Sequence, residues 1–440
     1  MKVLIAAIPL TGHINPMLAI GRILMADGHE VVVLSGSAMR KRIEDVGASF
    51  RALPPEADLD LGNIVAVFPE LKTIPPGPEL VRFYFEHVFI DLIPPQHKGM
   101  RQVLQEFSAD VIITSALFLG VFSMLLGPRS ERPAIVLCGT NPLFWHRDDG
   151  APGVAGLPPA TSEAQRKEYA ALAEENRKAF VEPVGRYLNN CMADVGVAPL
   201  SMHILDAVVA LPDVFMELTV PGLEFPRRDL PSSVHFIGAL PIIPNQTSLP
   251  PWADELDGSR KVVFVTQGTL ANHNFDQLIT PTLAALANEP DILVVVTAGG
   301  RPIDAIPGPI PGNARLASYL PFEWLLPKVD AFVTNGGFGS VNQALSFGVP
   351  LVTAGLTEDK AEVNARVAWS GVGIDLKTNE PTPSALREAI RAVLDKPNFR
   401  ARASALGKEF AAIDTQSEIL RIVKQVSRVS TDRGAPVYAK

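Results

Sequence analysis

MKVLIAAIPL, residues 1–10, is a short apolar run that breaks into the polar turn TGHINP, passes through a helical pattern and resumes as the strand-like EVVVLS at residues 30–35. A strand, a crossover helix and a second strand in that order build a parallel sheet with helices on both faces. The rhythm restarts at Lys261, where KVVFVTQGT leads through a helix-like stretch to DILVVVTAGG, residues 291–300. Two such starts in 440 residues, 47% of them hydrophobic, supply chain and apolar surface for two cores. The expected fold class is α/β, with two doubly wound domains facing each other across a cleft. PIIPNQTSLPPWADELDGS, residues 241–259, has the proline-rich, aperiodic composition of a linker. The expected division is an acceptor-side domain over 1–240, a linker over 241–260, a second domain over 261–415, and a closing helix and tail over 416–440. SEILRIVKQV, residues 417–426, carries the apolar stripe Ile419, Leu420, Val423 and Val426, which needs a surface to cover it.

Sheets of this kind bind ligands beyond the C-terminal ends of their strands. The first such end carries Thr11, Gly12 and His13, and the helix that follows is expected to start at Asn15-Pro16, where asparagine caps and proline fits the first turn. In the second half VTNGGFGSVNQALSFGVP, residues 333–350, packs four glycines between the apolar runs AFV and PLVTAG, three of them where a strand passes into a helix. Glycine lets the backbone approach a ligand, and the free N–H groups of a helix N-terminus favour an anion such as phosphate. Alone, such a turn serves tight strand-to-helix packing equally well. Thr266-Gln267-Gly268-Thr269, at a second strand end in the same half, adds hydroxyls and N–H groups for the same guest.

These motifs together resemble family 1 glycosyltransferases, enzymes of the UGT/MGT type with the GT-B fold of two Rossmann-like domains. The resemblance rests on Tyr319-Leu320-Pro321-Phe322, Thr334-Asn335-Gly336-Gly337, Gly339-Ser340, Gln343-Ala344-Leu345, Gly348-Val349-Pro350, Glu358-Asp359-Lys360 and Asn364-Ala365, with Gly12-His13-Ile14-Asn15-Pro16 at the other end of the chain. It implies a metal-independent, inverting transfer of a hexose from a nucleoside-diphosphate sugar, UDP-glucose by family habit, to a hydroxyl of a small apolar or aromatic acceptor. By the same resemblance Tyr319 stacks on the base and Leu320 bonds it through its backbone. Phe322, Asn335, Gly337, Gly339 and Ser340 line the donor, Gln343 meets the ribose, and Asp359 and Lys360 hold the hexose; Gly268 and Thr269, from the strand end read above, join the donor side. His13 matches the general base, Ser115 fills the place of the aspartate that orients it, and the closing helix crosses back onto the first domain.

Four positions depart from the family pattern. Asn335 stands for a histidine, Gln343 for a glutamate that takes both ribose hydroxyls, Lys360 for a glutamine and Ser115 for the aspartate. A neutral amide meets a diphosphate less strongly than a cation does. The departures leave open a thymidine donor, a catalytically weak binding protein, or a nucleotide-sugar epimerase or hydrolase of the same fold. They also leave Asp148 or Asp149 as a substitute carboxylate for His13. Lys360 adds a cation that suits a carboxylated sugar.

Other classes fit poorly. A net charge of -8 lacks the basic face of a nucleic-acid binder. The run 111–127 is apolar enough to suggest a membrane span, but Thr114, Ser115 and Gly120 break it, and a buried strand entering a buried helix reads better. Two cysteines outside any C-x-x-C spacing suit a reducing compartment, the cytosol, and no cofactor or metal is expected. Asp58-Leu59-Asp60 is a D-x-D in an acidic, proline-flanked loop far from the phosphate motif, and the eight histidines show no zinc-ligand spacing. No G-x-G-x-x-G follows the first strand, which removes a dehydrogenase. The aromatic stretches 80–95 and 142–159 make Phe83, Phe85 and Trp145 candidates for an aromatic acceptor, with burial in the core as the competing reading.

Overall fold

The computed structural model describes residues 1–75, 77–242, 249–269 and 272–431. Val/Ile/Leu runs form the central strands, which are buried on both faces as parallel sheets require, while the strands at the sheet edges keep part of their surface exposed. Seven of them form the first sheet: β1 (Lys2–Ala6), β2 (Glu30–Ser35), β3 (Ser49–Ala52), β4 (Val111–Ser115), β5 (Ala134–Gly139), β6 (Val214–Glu217) and β7 (Val234–Phe236), in the order β3-β2-β1-β4-β5-β6-β7. Six form the second: β8 (Lys261–Thr266), β9 (Ile292–Thr297), β10 (Ala314–Ala317), β11 (Ala331–Thr334), β12 (Leu351–Thr353) and β13 (Gly373–Asp375), in the order β10-β9-β8-β11-β12-β13. All pairings are parallel. In each sheet the strand order reverses beside the first strand, between β1 and β4 and between β8 and β11. Such a switch point opens a crevice at the strands' C-terminal ends.

Helix α1 (Thr11–Ala26) starts four residues earlier than Asn15-Pro16 suggests. Leu10 is extended, at φ -117° and ψ 137°, and its carbonyl accepts from the N–H groups of His13 and Ile14. Pro16 therefore lies inside the helix, and His13 belongs to its first turn. The apolar run after Asp110 becomes β4 followed by short helical turns at Leu119–Val121 and Phe122–Leu125. No helix among the described residues is long and apolar enough to cross a membrane.

Helices α2 (Phe338–Ser346) and α3 (Lys360–Trp369) follow the second sheet's strand ends, and α4 (Thr415–Thr431) closes the described chain. The buried stripe of α4 is Ile419, Ile422, Val423 and Val426, in one apolar cluster with Val3, Ile5 and Val136 of the first sheet. Each such side chain contributes about 1.5–3 kcal/mol by burial. Lys424 Nζ on α4 pairs with Asp27 at 2.7 Å, just beyond α1. The expected tail beyond Thr431 lies outside the described residues.

Polar contacts also join the two halves. Arg366 of α3 is buried, bonds Glu224 at 2.6 Å and Glu362 at 2.6 Å, and lies over the Phe225 ring at 4.2 Å. Thr219 donates to Asn342 Oδ1 at 2.6 Å. Glu217 nearby is fully buried with neither carboxylate oxygen hydrogen-bonded among the described residues, and burial pushes its pKa well above the usual range. Arg366 hydrogen-bonds Glu224, and only its charge reaches Glu217.

Candidate active site

At the first switch point the chain leaves β1 and enters α1 through His13, whose ring keeps only 9% of its exposure. Burial pushes its pKa down to about 4, so the imidazole is neutral over the physiological range. Nδ1 lies 2.9 Å from Thr140 Oγ1, one residue beyond β5. Among the described residues Nε2 has no hydrogen-bond partner.

Ser115 is therefore not the group against His13. It sits inside β4, in register with Cys138, fully buried and with its hydroxyl unpartnered among the described residues. Thr140 has already left the sheet, and that extra reach brings it to the first turn of α1. The candidate carboxylates are committed elsewhere: Asp148 takes Arg228 at 2.8 Å, and Asp149 takes Arg147 at 2.6 Å and the N–H groups of Ala151 and Ala160. Thr140 and Asn141 went unread in the sequence. Their signal was a polar pair directly after the strand AIVLCG, at the C-terminal end of β5.

From Thr140 the polar contacts cross the cleft. Thr140 Oγ1 is 3.3 Å from Asn141 Oδ1, and Asn141 Nδ2 donates to Asp359 Oδ2 at 3.0 Å. Asp359 immediately precedes α3; burial raises its pKa, and the bond from Asn141 opposes that shift.

The second switch point presents mostly backbone. Gly268, at φ 71°, donates its N–H to Thr266 Oγ1 at 3.2 Å, and Thr269 is exposed beside it. After β11, Gly336 has φ 96°, and a Cβ there would stand 1.9 Å from Asn364 Oδ1, so only glycine fits. Gly337 enters α2 without any side-chain cap, leaving the N–H groups of the first turn, through Gly339 and Ser340, available to an anion. Asn335 spends its amide donor on Gln267 O at 2.7 Å and so stitches the two strand ends together. Gln343 donates to Leu240 O at 2.8 Å, which ties α2 to the end of the first half. Lys360 is buried, pairs with Glu358, lies 3.3 Å from Thr357 Oγ1, and is pushed down by burial to about 8. A small cavity between the strand ends is lined by Gln267, Asn335, Gly355, Thr357, Lys360 and Asn379.

The aromatic candidates divide. Tyr319 is exposed at the surface while Leu320 is buried. Phe322 is partly buried and packs edge-on against the core rings Phe264 and Phe332, with centroids at 5.5 and 6.3 Å. Phe85 is buried in the core, against Phe89 and Phe180 at 5.6 and 5.0 Å, as the competing reading has it. Phe83 meets Phe68 and His87, and Trp145 donates its indole N–H to Asp229 at 3.2 Å; both keep part of their surface exposed. Asp58 of the D-x-D accepts from the backbone N–H and the hydroxyl of Ser37, which fixes the turn after β2.

Two facing parallel sheets, each with its ligand edge at the switch point, define a GT-B architecture. The solved structure of CalG4, the calicheamicin glycosyltransferase, superposes with a TM-score of 0.72 at 18% identity over 99% of both chains. The chain is 38% identical to UDP-glycosyltransferase 2 of Phaeomoniella chlamydospora, over 95% of this chain and 94% of that one. It is 36% identical to 4'-demethylrebeccamycin synthase of Lentzea aerocolonigenes, over 96% and 99% respectively. Residues 281–426 match the model for the C-terminal domain of erythromycin biosynthesis protein CIII-like proteins. The chain belongs to the family 1 glycosyltransferases and is a glycosyltransferase.

Proposed function

We propose that the protein transfers a hexose, with inversion, from a nucleoside-diphosphate sugar to a hydroxyl of a small apolar or aromatic acceptor. The observation that carries this reading is a neutral imidazole at the first switch point, linked across the cleft to the rim where the second sheet offers its free N–H groups. His13 Nε2 takes the acceptor's hydroxyl proton as that oxygen bonds to the anomeric carbon. The bond from that carbon to the phosphate oxygen breaks, and its electron pair leaves with the nucleoside diphosphate. The N–H groups of Gly337, Gly339 and Ser340 meet the charge that develops there. Attack opposite the leaving group inverts the centre.

UDP-glucose is the proposed donor, supported by the UDP-glycosyltransferase name of a relative at 38% identity. Asp359 and Lys360 are the proposed hexose contacts, and Tyr319 with the backbone of Leu320 the base contacts. The pairing of Lys360 with Glu358 lowers the charge it can offer a uronic acid.

The test mixes the protein with UDP-glucose, with dTDP-glucose, and with each of them plus a phenolic acceptor. Acceptor-dependent release of nucleoside diphosphate with a β-linked product from an α-linked donor supports the reading. Release without acceptor indicates a hydrolase or epimerase, and binding without release indicates a carrier; either result sinks it.

A further inference from the structure

Among the described residues no carboxylate touches His13, yet two polar side chains lead from its ring to one. His13 Nδ1 lies against Thr140 Oγ1, Thr140 Oγ1 against Asn141 Oδ1, and Asn141 Nδ2 against Asp359 Oδ2, at 2.9, 3.3 and 3.0 Å. The donors and acceptors fix the direction of the whole chain. The Asn141 amide donates to Asp359, a carboxylate that can only accept, so its carbonyl faces Thr140 and can only accept there. Thr140 has one proton, and giving it to Asn141 leaves its oxygen to accept from His13. Nδ1 then carries the ring proton, and Nε2 holds the lone pair that a base needs. Were Thr140 to donate to Nδ1 instead, Nε2 would carry the proton and could abstract nothing.

We propose that Thr140 and Asn141 are positioning residues that relay the charge of Asp359 to His13, so that a carboxylate on the donor-side domain sets the tautomer and orientation of the base on the acceptor-side domain. This rests on the reading of His13 as the base. The relay spans the cleft: His13, Thr140 and Asn141 belong to the first half and Asp359 to the second, 218 residues from Asn141 in the chain. The base is therefore fully set only when the two halves are closed on each other. A hexose hydroxyl bonding the Asp359 carboxylate would engage the same group, which couples donor occupancy to the readiness of His13. During transfer the imidazolium keeps its Nδ1 proton, and no proton travels along the relay; Asp359 stabilises the cation through the aligned dipoles of Thr140 and Asn141.

The experiment compares wild type with Thr140→Val, Thr140→Ser, Asn141→Ala and His13→Gln, all in the full chain. The tautomer of His13 is read by ¹⁵N NMR of histidine-labelled protein, with His13→Gln assigning the signal; this needs no turnover. The expected wild-type signal is the Nδ1–H tautomer. Thr140→Val, which cannot accept or donate, and Asn141→Ala, which frees Thr140 to turn its proton toward the ring, both shift the population to Nε2–H. In turnover, both lower kcat roughly 10- to 100-fold, less than the roughly 10²- to 10⁴-fold that general-base catalysis supplies in full, while donor KM changes less than about threefold and Thr140→Ser restores the rate. A role in packing alone would leave the tautomer unmoved. Retention of the Nδ1–H tautomer and of kcat in Thr140→Val and Asn141→Ala overturns the relay. If wild type transfers nothing, the functional reading fails by itself, and the tautomer comparison still decides the relay.

Discussion

The two sheets share one strand order around their switch points, but they arm those edges differently. The first edge works through side chains: His13, Thr140 and Asn141 stand at the ends of β1 and β5 and bond one another. On the second edge the backbone is offered, through the glycine turn after β11 and the uncapped start of α2, while Asn335 and Gln343 spend their amides on internal carbonyls. The difference follows the chemistry. Accepting a proton requires a group with a titratable lone pair, and only a side chain supplies one at neutral pH. Holding a diphosphate needs only converging N–H groups, which any sequence provides once glycine lets the ligand approach.

That contrast can be broken most forcefully at His13. His13→Ala should lower transfer to an aliphatic alcohol by about 10²- to 10⁴-fold, with donor affinity by calorimetry unchanged within about twofold. The next largest effect should come from backbone geometry on the opposite edge. Gly336→Ala forces a Cβ against Asn364 and a strained φ, so donor affinity should fall by roughly tenfold or more and the melting temperature with it.

A third test uses the burial of His13 at the first edge. The folded state holds His13 at about 4 against an ordinary value of 6.5, so it binds fewer protons than the unfolded chain between those values. Stability is fully present above about pH 6.5 and is lost as pH falls toward 4, by roughly 3 kcal/mol at most from this group. His13→Gln should lack that component in denaturant titrations at pH 7 and pH 4.5, and an identical pH loss in both proteins would refute the burial argument. The smallest effect is expected at Gln343. Gln343→Ala removes one bond to Leu240, worth about 1 kcal/mol, and should leave donor affinity within about threefold; a tenfold loss would mean that the donor rim does depend on that side chain.

How much of this was legible in the sequence also divides by edge. The strands were readable because runs such as KVVFVT and ILVVVT are buried on both faces, and the glycine turn was readable because backbone-led sites leave a local signature. The partner of His13 was not readable. Thr140 lies 127 residues away, and its contact depends on how far the chain runs past the end of β5 before it turns. The start of α1 was misplaced because Asn15-Pro16 has the chemistry of a cap, while the extended Leu10 that begins the helix has none. Phe85 shows the limit of composition: an aromatic residue in a promising stretch points inward or outward according to neighbours such as Phe89 and Phe180, which only the packing reveals.

The role of His13 as the base is tested most directly by product formation and donor binding measured side by side in wild type and His13→Ala. With UDP-glucose and an aliphatic alcohol, wild type should release UDP only when the acceptor is present, and His13→Ala should bind UDP with unchanged affinity while forming almost no product. Wild-type turnover in His13→Ala would contradict the assignment and place the base elsewhere in the cleft.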